Sequence, residues 1–243
     1  MLIASPRHTR ADLDAWARWE RIDRALSKAP ALARKGEAAL AALEAFVRAA
    51  PGVGFQGVSW GKDSGVCLHL AAVLFERTGL RLPAVWVRVE GRENPDCPAV
   101  RDAWRARFGA LLDLHEITVE AGDGDGRLTS SLGFAEAHRR FGDRHVSGVR
   151  ADESRVREES ARAHGVATER TCRPILRWSA QEVFAWHALH DLPLHPAYAM
   201  TMGGALDRTR LRVASLGGER GTGHGRRSWE RQYYPDEMDA LRR

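Results

Sequence analysis

Cysteine is scarce in this 243-residue chain: only Cys67, Cys97 and Cys172 occur, far apart and never as Cys-x-x-Cys. That spacing argues against a disulfide framework, a structural zinc site or an iron–sulfur cluster. The ten histidines include no His-Glu-x-x-His, so the helical zinc motif is missing too. No apolar run approaches the roughly 18 residues of a membrane span. Met1 to Arg10 lacks the apolar stretch of a secretory signal. A cytoplasmic protein without membrane contact is therefore expected. There is also no block of basic residues long enough to act as a nucleic-acid-binding tail. Lysine is nearly absent, with Lys28, Lys35 and Lys62 alone, so the 37 cationic residues are almost all arginine. Set against 32 acidic residues they leave a formal charge of +5. Such a surplus suits an anionic ligand such as a nucleotide, and permits contact with nucleic acid without requiring it.

What is present reads as a single α/β domain with additions at both ends. Residues 9–27 have a helical period, with Thr9 as cap and Leu13, Trp16, Ile22 and Leu26 as the inward face. Pro30 interrupts, and a second helix is expected over 37–49. The pair forms an N-terminal helical hairpin over residues 1–50 and reads as scaffold. From residue 54 the pattern changes. Short apolar strands at 54–59, 84–89, 111–119 and 145–149 alternate with helical stretches at 65–78, 99–108 and 133–141. That alternation predicts a parallel twisted sheet with helices on both faces, spanning residues 51–200. Its ligand is expected at the carboxyl ends of the strands, near the switch in strand order. Ser179-Ala-Gln-Glu182 is a capping box opening a further helix. Beyond residue 200 the chain becomes rich in glycine and arginine, and residues 201–243 are expected to be a flap or tail.

Three segments carry chemistry. Ser59-Trp60-Gly61-Lys62-Asp63-Ser64 lies between the first strand and its helix. Gly61 allows close approach of a phosphate, Lys62 supplies a point charge, Ser59 and Ser64 supply hydroxyls, and the helix N-terminus supplies its dipole. Asp63 is a candidate for orienting the loop or for holding Mg²⁺. The Walker A spacing is absent. Next comes Gly148-Val-Arg150-Ala-Asp152-Glu153-Ser154, followed by Arg157, at another strand end. Arg150 and Arg157 can grip phosphate or sulfate through paired N–H groups, and Asp152 or Glu153 can fix them or hold metal. Last is Arg173-Pro174-Ile-Leu-Arg-Trp178-Ser179, then Leu192-Pro193-Leu-His-Pro196-Ala-Tyr198. Here Arg173 is the candidate functional residue, whereas Trp178, Phe184 and Trp186 read as core.

Together these segments resemble the phosphoadenosine phosphosulfate reductase family of PP-loop enzymes, the N-type ATP pyrophosphatases. The resemblance covers Phe55 to Tyr198 and leaves out residues 1–50. It implies an adenine nucleotide α-hydrolase-like fold, ATP and Mg²⁺ as ligands, and a nucleotide site on Ser59–Ser64, Gly148, Arg150, Asp152, Glu153 and Arg157. Lys62, Asp63, Arg150 and Arg173 are then the candidates for catalysis. Trp60 departs from the family pattern by replacing its usual first glycine, and it is a candidate for lining the nucleotide pocket. The C-terminal cysteine segment of the sulfonucleotide reductases is missing as well. Cys67 reads as core, while Cys97 and Cys172 fall in expected loops.

The preferred reading is an enzyme that splits ATP between its α and β phosphates and adenylylates an acceptor. Two others stay open: a sulfonucleotide reductase using Cys97, Cys172 or an external thiol, and a non-catalytic nucleotide- or nucleic-acid-binding accessory protein. The acceptor is not specified; nucleic acid and a sulfur-bearing partner protein are both compatible with it, and a homodimer is left open. Residues 203–227, with Arg208, Arg210, Arg212, Arg220, Arg226 and Arg227, are expected to close over bound ligand as a lid.

Overall fold

The computed structural model describes residues 1–120, 126–213, 215–217 and 226–241. Five short parallel strands form one sheet: β1 (Phe55–Val58), β2 (Pro83–Val89), β3 (Asp113–Val119), β4 (His145–Val146) and β5 (Thr171–Cys172), in the order β3-β2-β1-β4-β5. The chain winds outward from β1 through β2 to β3, then returns to the other side of β1 for β4 and β5. The strand order therefore reverses between β1 and β4, which is where such sheets open a crevice. The loops after these two strands are the Ser59–Ser64 and Gly148–Ser154 segments.

Helices cover both faces. On the thicker side α2 (Pro30–Ala49), α3 (Lys62–Thr78), α4 (Cys97–Phe108) and α7 (Ala180–Leu189) pack around Leu43, Val66, Leu70, Trp104 and Trp186. On the other side α5 (Gly126–Phe141) presses Ala137 and Phe141 on Phe55, Val85 and Ile117. Trp178, Phe184 and Trp186 are all core residues, as their spacing suggests. A further helix, α6 (Arg155–His164), follows the Gly148 segment and is capped by the Ser154 side chain.

Both chain ends depart from expectation. Pro30 does not interrupt a helix; it is the first residue of α2, where its missing N–H costs nothing. Helix α1 (Arg10–Leu26) has the expected Thr9 cap, but Leu13, Ile22 and Leu26 are exposed. Its inward face instead carries Asp12, Ala15, Trp16 and Asp23. Beyond Tyr198, residues 226–240 are not a loose tail: α8 (Arg226–Tyr233) and α9 (Pro235–Ala240) bury Trp229, Tyr233 and Tyr234 in a second core with Trp16, Phe184 and Tyr198. The expectation for residues 218–225 lies outside the described residues. Among the described residues, no helix is long and apolar enough to cross a membrane.

Candidate nucleotide site

The first strand ends in a loop that closes on itself. Ser59 N–H donates to Ser64 Oγ at 3.3 Å, and Ser64 Oγ donates to Gly61 O at 3.1 Å. Helix α3 then begins at Lys62, with Gly61 as a cap that has no side chain. The Lys62 N–H donates to Tyr198 Oη at 2.9 Å, and His187 Nε2–H donates to the Lys62 carbonyl at 2.8 Å. The loop is thus tied from beneath by α7 and from one side by Tyr198. Two glycines make this geometry possible. A Cβ on Gly148 would sit 2.8 Å from the Asp63 carbonyl carbon, so the β4 loop can lie against the β1 loop only without a side chain there. A Cβ on Gly61 would meet Tyr198 Oη and Val213 at 3.2 Å.

Charge at the floor of the crevice is concentrated and paired. Asp63 sits between two cations, 2.7 Å from Lys62 Nζ and 2.7 Å from Arg150 Nε. Arg150 also reaches Asp152 at 2.5 Å and donates to the Trp178 carbonyl at 3.3 Å. Lys62 and Arg150 are each only 3% exposed. Burial lowers the Lys62 pKa from its ordinary value, and the Asp63 carboxylate opposes that shift. A lysine in this setting holds its charge at a cost of desolvation, which the Asp63 carboxylate partly offsets. Higher on the same side, Arg157 pairs with Glu153. Burial and the neighbouring Arg212 guanidinium lower the Arg157 pKa.

These groups line one cleft of about 1550 Å³, which contains Ser59, Gly61 to Ser64, Gly148, Arg150, Asp152, Glu153 and Arg157. Its far wall is the stretch Ala205 to Val213, including Arg210 and Arg212. The volume is ample for a nucleoside triphosphate and a second reactant.

Three expectations about single residues need correction. Trp60 does not line the cleft; its ring is 4% exposed and meets Trp86 edge-on at 5.6 Å. Its backbone nevertheless adopts the left-handed conformation that a glycine would take, at φ 57°. The ring's burial is what offsets this strain. Arg173 is likewise off the cleft: it is buried behind β5 and donates to Ser160 Oγ at 3.2 Å. Finally, Cys97 and Cys172 are not loop thiols but are fully buried, and burial pushes both pKa values up, that of Cys172 to about 12. Neither lines the cleft.

Several residues that build or brace the site carried no signal for that role in the sequence. Tyr198 stood in a motif, but nothing there shows its hydroxyl reaching the Lys62 amide. His187 lies on α7, among residues spaced like core. Phe134 and Trp229 line the cleft from α5 and α8, at chain positions that no motif marks.

The chain shares a family profile and a fold with known proteins. The family profile described as phosphoadenosine phosphosulfate reductase domain matches residues 55–224. Among solved structures, an FMN adenylyltransferase of Candida glabrata superposes with a TM-score of 0.51 at 15% identity, over 78% of this chain and 69% of that one. A U34-tRNA thiolase, NcsA from Methanococcus maripaludis, gives a TM-score of 0.45 at 13% identity, over 79% of this chain and 71% of the other. No curated protein matches the chain.

Proposed function

Because the chain belongs to the phosphoadenosine phosphosulfate reductase domain family, we propose that its cleft binds ATP and that the enzyme transfers the adenylyl group to an acceptor. The observation that carries this reading is the floor: Lys62 and Arg150, both buried, converge on Asp63 beneath the N-terminus of α3. That is a built anion site, with two fixed cations and a helix dipole aimed at one point. An adenylyltransferase on the same fold, the Candida glabrata neighbour, supports the reaction class.

In the proposed step a nucleophilic atom of the acceptor forms a bond to the α-phosphorus. The bond from that phosphorus to the bridging oxygen breaks, and its electron pair leaves on pyrophosphate. The acceptor's proton passes to solvent. Lys62 and the Ser59–Ser64 loop hold the departing pyrophosphate, and Arg150 steadies the α-phosphate. Such a reaction runs on positioning and charge neutralisation. On this reading Asp63 keeps the two cations aimed into the cleft throughout.

The carboxylates of the cleft are already committed to cations and leave no donor set for magnesium. Both Asp63 oxygens are taken, by Lys62 and Arg150, while Asp152 and Glu153 are taken by Arg150 and Arg157. Among the described residues no three His, Cys, Asp or Glu side chains converge on a metal position. The residues therefore do not fit a protein-held ion, and magnesium would arrive on the nucleotide. Cys97 and Cys172 are not placed to attack a ligand in the cleft, since none of the three buried cysteines lines it; the sulfonucleotide alternative would need an external thiol.

The test is to incubate the protein with ATP, Mg²⁺ and candidate acceptors, among them nucleobases, sulfate and small metabolites, and to identify the phosphate product. Pyrophosphate with an adenylylated acceptor is expected. Orthophosphate with ADP, or no turnover with any acceptor, would overturn the proposal.

A further inference from the structure

Helix α1 lies outside the residues that match the family, yet it buries two carboxylates on its inward face. Asp12 is fully buried and Asp23 is 3% exposed. Acidic side chains are almost never buried without a specific partner; here Asp23 pairs with Arg208, within the wall segment, and Asp12 with the turn just before it and with Tyr233.

Asp12 fills a turn of backbone amides. Its Oδ1 accepts from Thr201 N–H at 3.0 Å and from Gly203 N–H at 2.9 Å. Tyr233 Oη donates to the same carboxylate at 2.9 Å and itself accepts from Met202 N–H at 2.8 Å. Residues 202–204 all have positive φ, at 52°, 70° and 101°. For Met202 that conformation is unfavourable, since it carries a Cβ. Successive N–H groups in this arrangement form a concave anion site, and the Asp12 carboxylate occupies it. Burial opposes the charged carboxyl, but the bonds from Gly203, Thr9 and Tyr233 hold its pKa below the ordinary value.

Asp23 fixes the next turn of the same segment. It pairs at 2.5 Å with Arg208, which is 6% exposed. The Arg208 guanidinium lies 4.0 Å from the Phe184 ring centroid and 5.3 and 5.2 Å from those of Trp16 and Trp19. Arg208 is therefore not a mobile lid arginine but an anchor. On either side of it, Ala205, Leu206, Asp207 and Thr209 to Val213 face the cleft.

We infer that Asp12 and Asp23 are positioning residues for the acceptor side of the cleft. They act through the 202–204 turn and Arg208, so α1 is a working part of the site rather than an appendage. The inference rests on the adenylyl-transfer reading only in assigning the 205–213 wall to the acceptor. The nucleotide phosphates are assigned to the Ser59–Ser64 loop, which the wall meets at its C-terminal end, where Val213 lies against Gly61, and not at the 202–204 turn or Arg208.

Asp12→Asn and Asp23→Asn are to be compared with the wild-type chain and with the reciprocal pair Asp23→Arg with Arg208→Asp. The measurements are hydrogen exchange over residues 199–213, ATP affinity, and pyrophosphate release from ATP with water as acceptor. Faster exchange confined to 199–213 is expected, with unchanged ATP affinity and KM for ATP. A kcat lower by about ten- to hundredfold is expected too, the scale of a misplaced reacting group. The reciprocal pair should recover part of the loss. If Asp23→Asn does not fold, Arg208→Lys keeps the charge but loses the planar fork, and should show the same pattern more weakly. Unchanged exchange over 199–213 would overturn the inference. So would ATP affinity and thermal stability falling in step with kcat, which marks a scaffold role. If the wild-type protein releases no pyrophosphate, adenylyl transfer with water as acceptor is not seen, while exchange and its rescue still decide the role of Asp12 and Asp23.

Discussion

The two sides of the cleft are held by different means. The floor is local: Ser59 and Ser64 are five residues apart, Lys62 and Asp63 are adjacent, and the strand β4 that delivers Arg150 pairs directly with β1. The far wall is held from the other end of the chain, with Asp12 and Thr201 separated by 189 positions and Asp23 and Arg208 by 185. The floor takes its shape mostly from one strand–loop–helix unit, with Arg150, His187 and Tyr198 bracing it from 87, 125 and 136 positions away. The wall rests on buried carboxylates of a helix that contributes nothing to the floor.

Acid should break the two sides at different pH. His187 is buried beneath Lys62, and burial lowers its pKa to about 4. A group whose pKa falls on folding contributes stability that is present above its unfolded value, near 6.5, and is lost as pH drops to the folded value. For His187 alone that amounts to about 3 kcal/mol by pH 4. Asp12 has the same sign, but its lowered value lies beneath the ordinary carboxylate range. Amide exchange followed from pH 7 downward is therefore expected to show the Lys62 region loosening first and residues 199–213 later. The reverse order would contradict this account of the two sides.

Trp60 is the next largest effect. Replacing it with glycine relieves a left-handed residue, worth about 1–2 kcal/mol. It also removes a buried indole, worth about 3–5 kcal/mol. Packing wins, and Trp60→Gly should lower stability by about 2 kcal/mol in denaturant titration. A more stable variant would show that backbone strain dominates there.

Gly148→Ala tests the contact between the two floor loops. Its Cβ meets only Asp63 and Ser64 backbone, at 2.8–3.0 Å, so the loops must part, at a cost of about 1–2 kcal/mol. Weaker ATP binding with undisturbed exchange over 199–213 is expected. Full-strength binding would mean the loops need not touch. The smallest effect is expected for Cys67, Cys97 and Cys172 replaced together by alanine, which should leave pyrophosphate release unchanged in protein that remains folded. Loss of turnover in a stable variant would point to thiol chemistry.

The same division explains what was legible in the sequence. Strand period, glycine placement and the Ser59–Ser64 and Gly148–Arg157 segments are local patterns, so the sheet, the crevice position and the residues at its floor could be read directly. β4, expected over 145–149, is only two residues long, and β5, equally short, has no alternation to mark it and no counterpart among the expected strands. Nothing in the sequence marks Asp12 and Asp23 for burial, since an aspartate on a helix normally faces solvent; only the distant 202–204 turn and Arg208 explain it. Trp60 and Arg173 were placed at the site by resemblance, yet neither side chain lines the cleft.

The most direct test of the site is the affinity of ATP for the wild-type chain and for Lys62→Ala, measured side by side by calorimetry. Losing a charged hydrogen bond to phosphate costs about 1.5–3 kcal/mol, which is about ten- to 150-fold in affinity. The account predicts that loss in a variant whose folding is intact. ATP binding of equal strength in both proteins would contradict it.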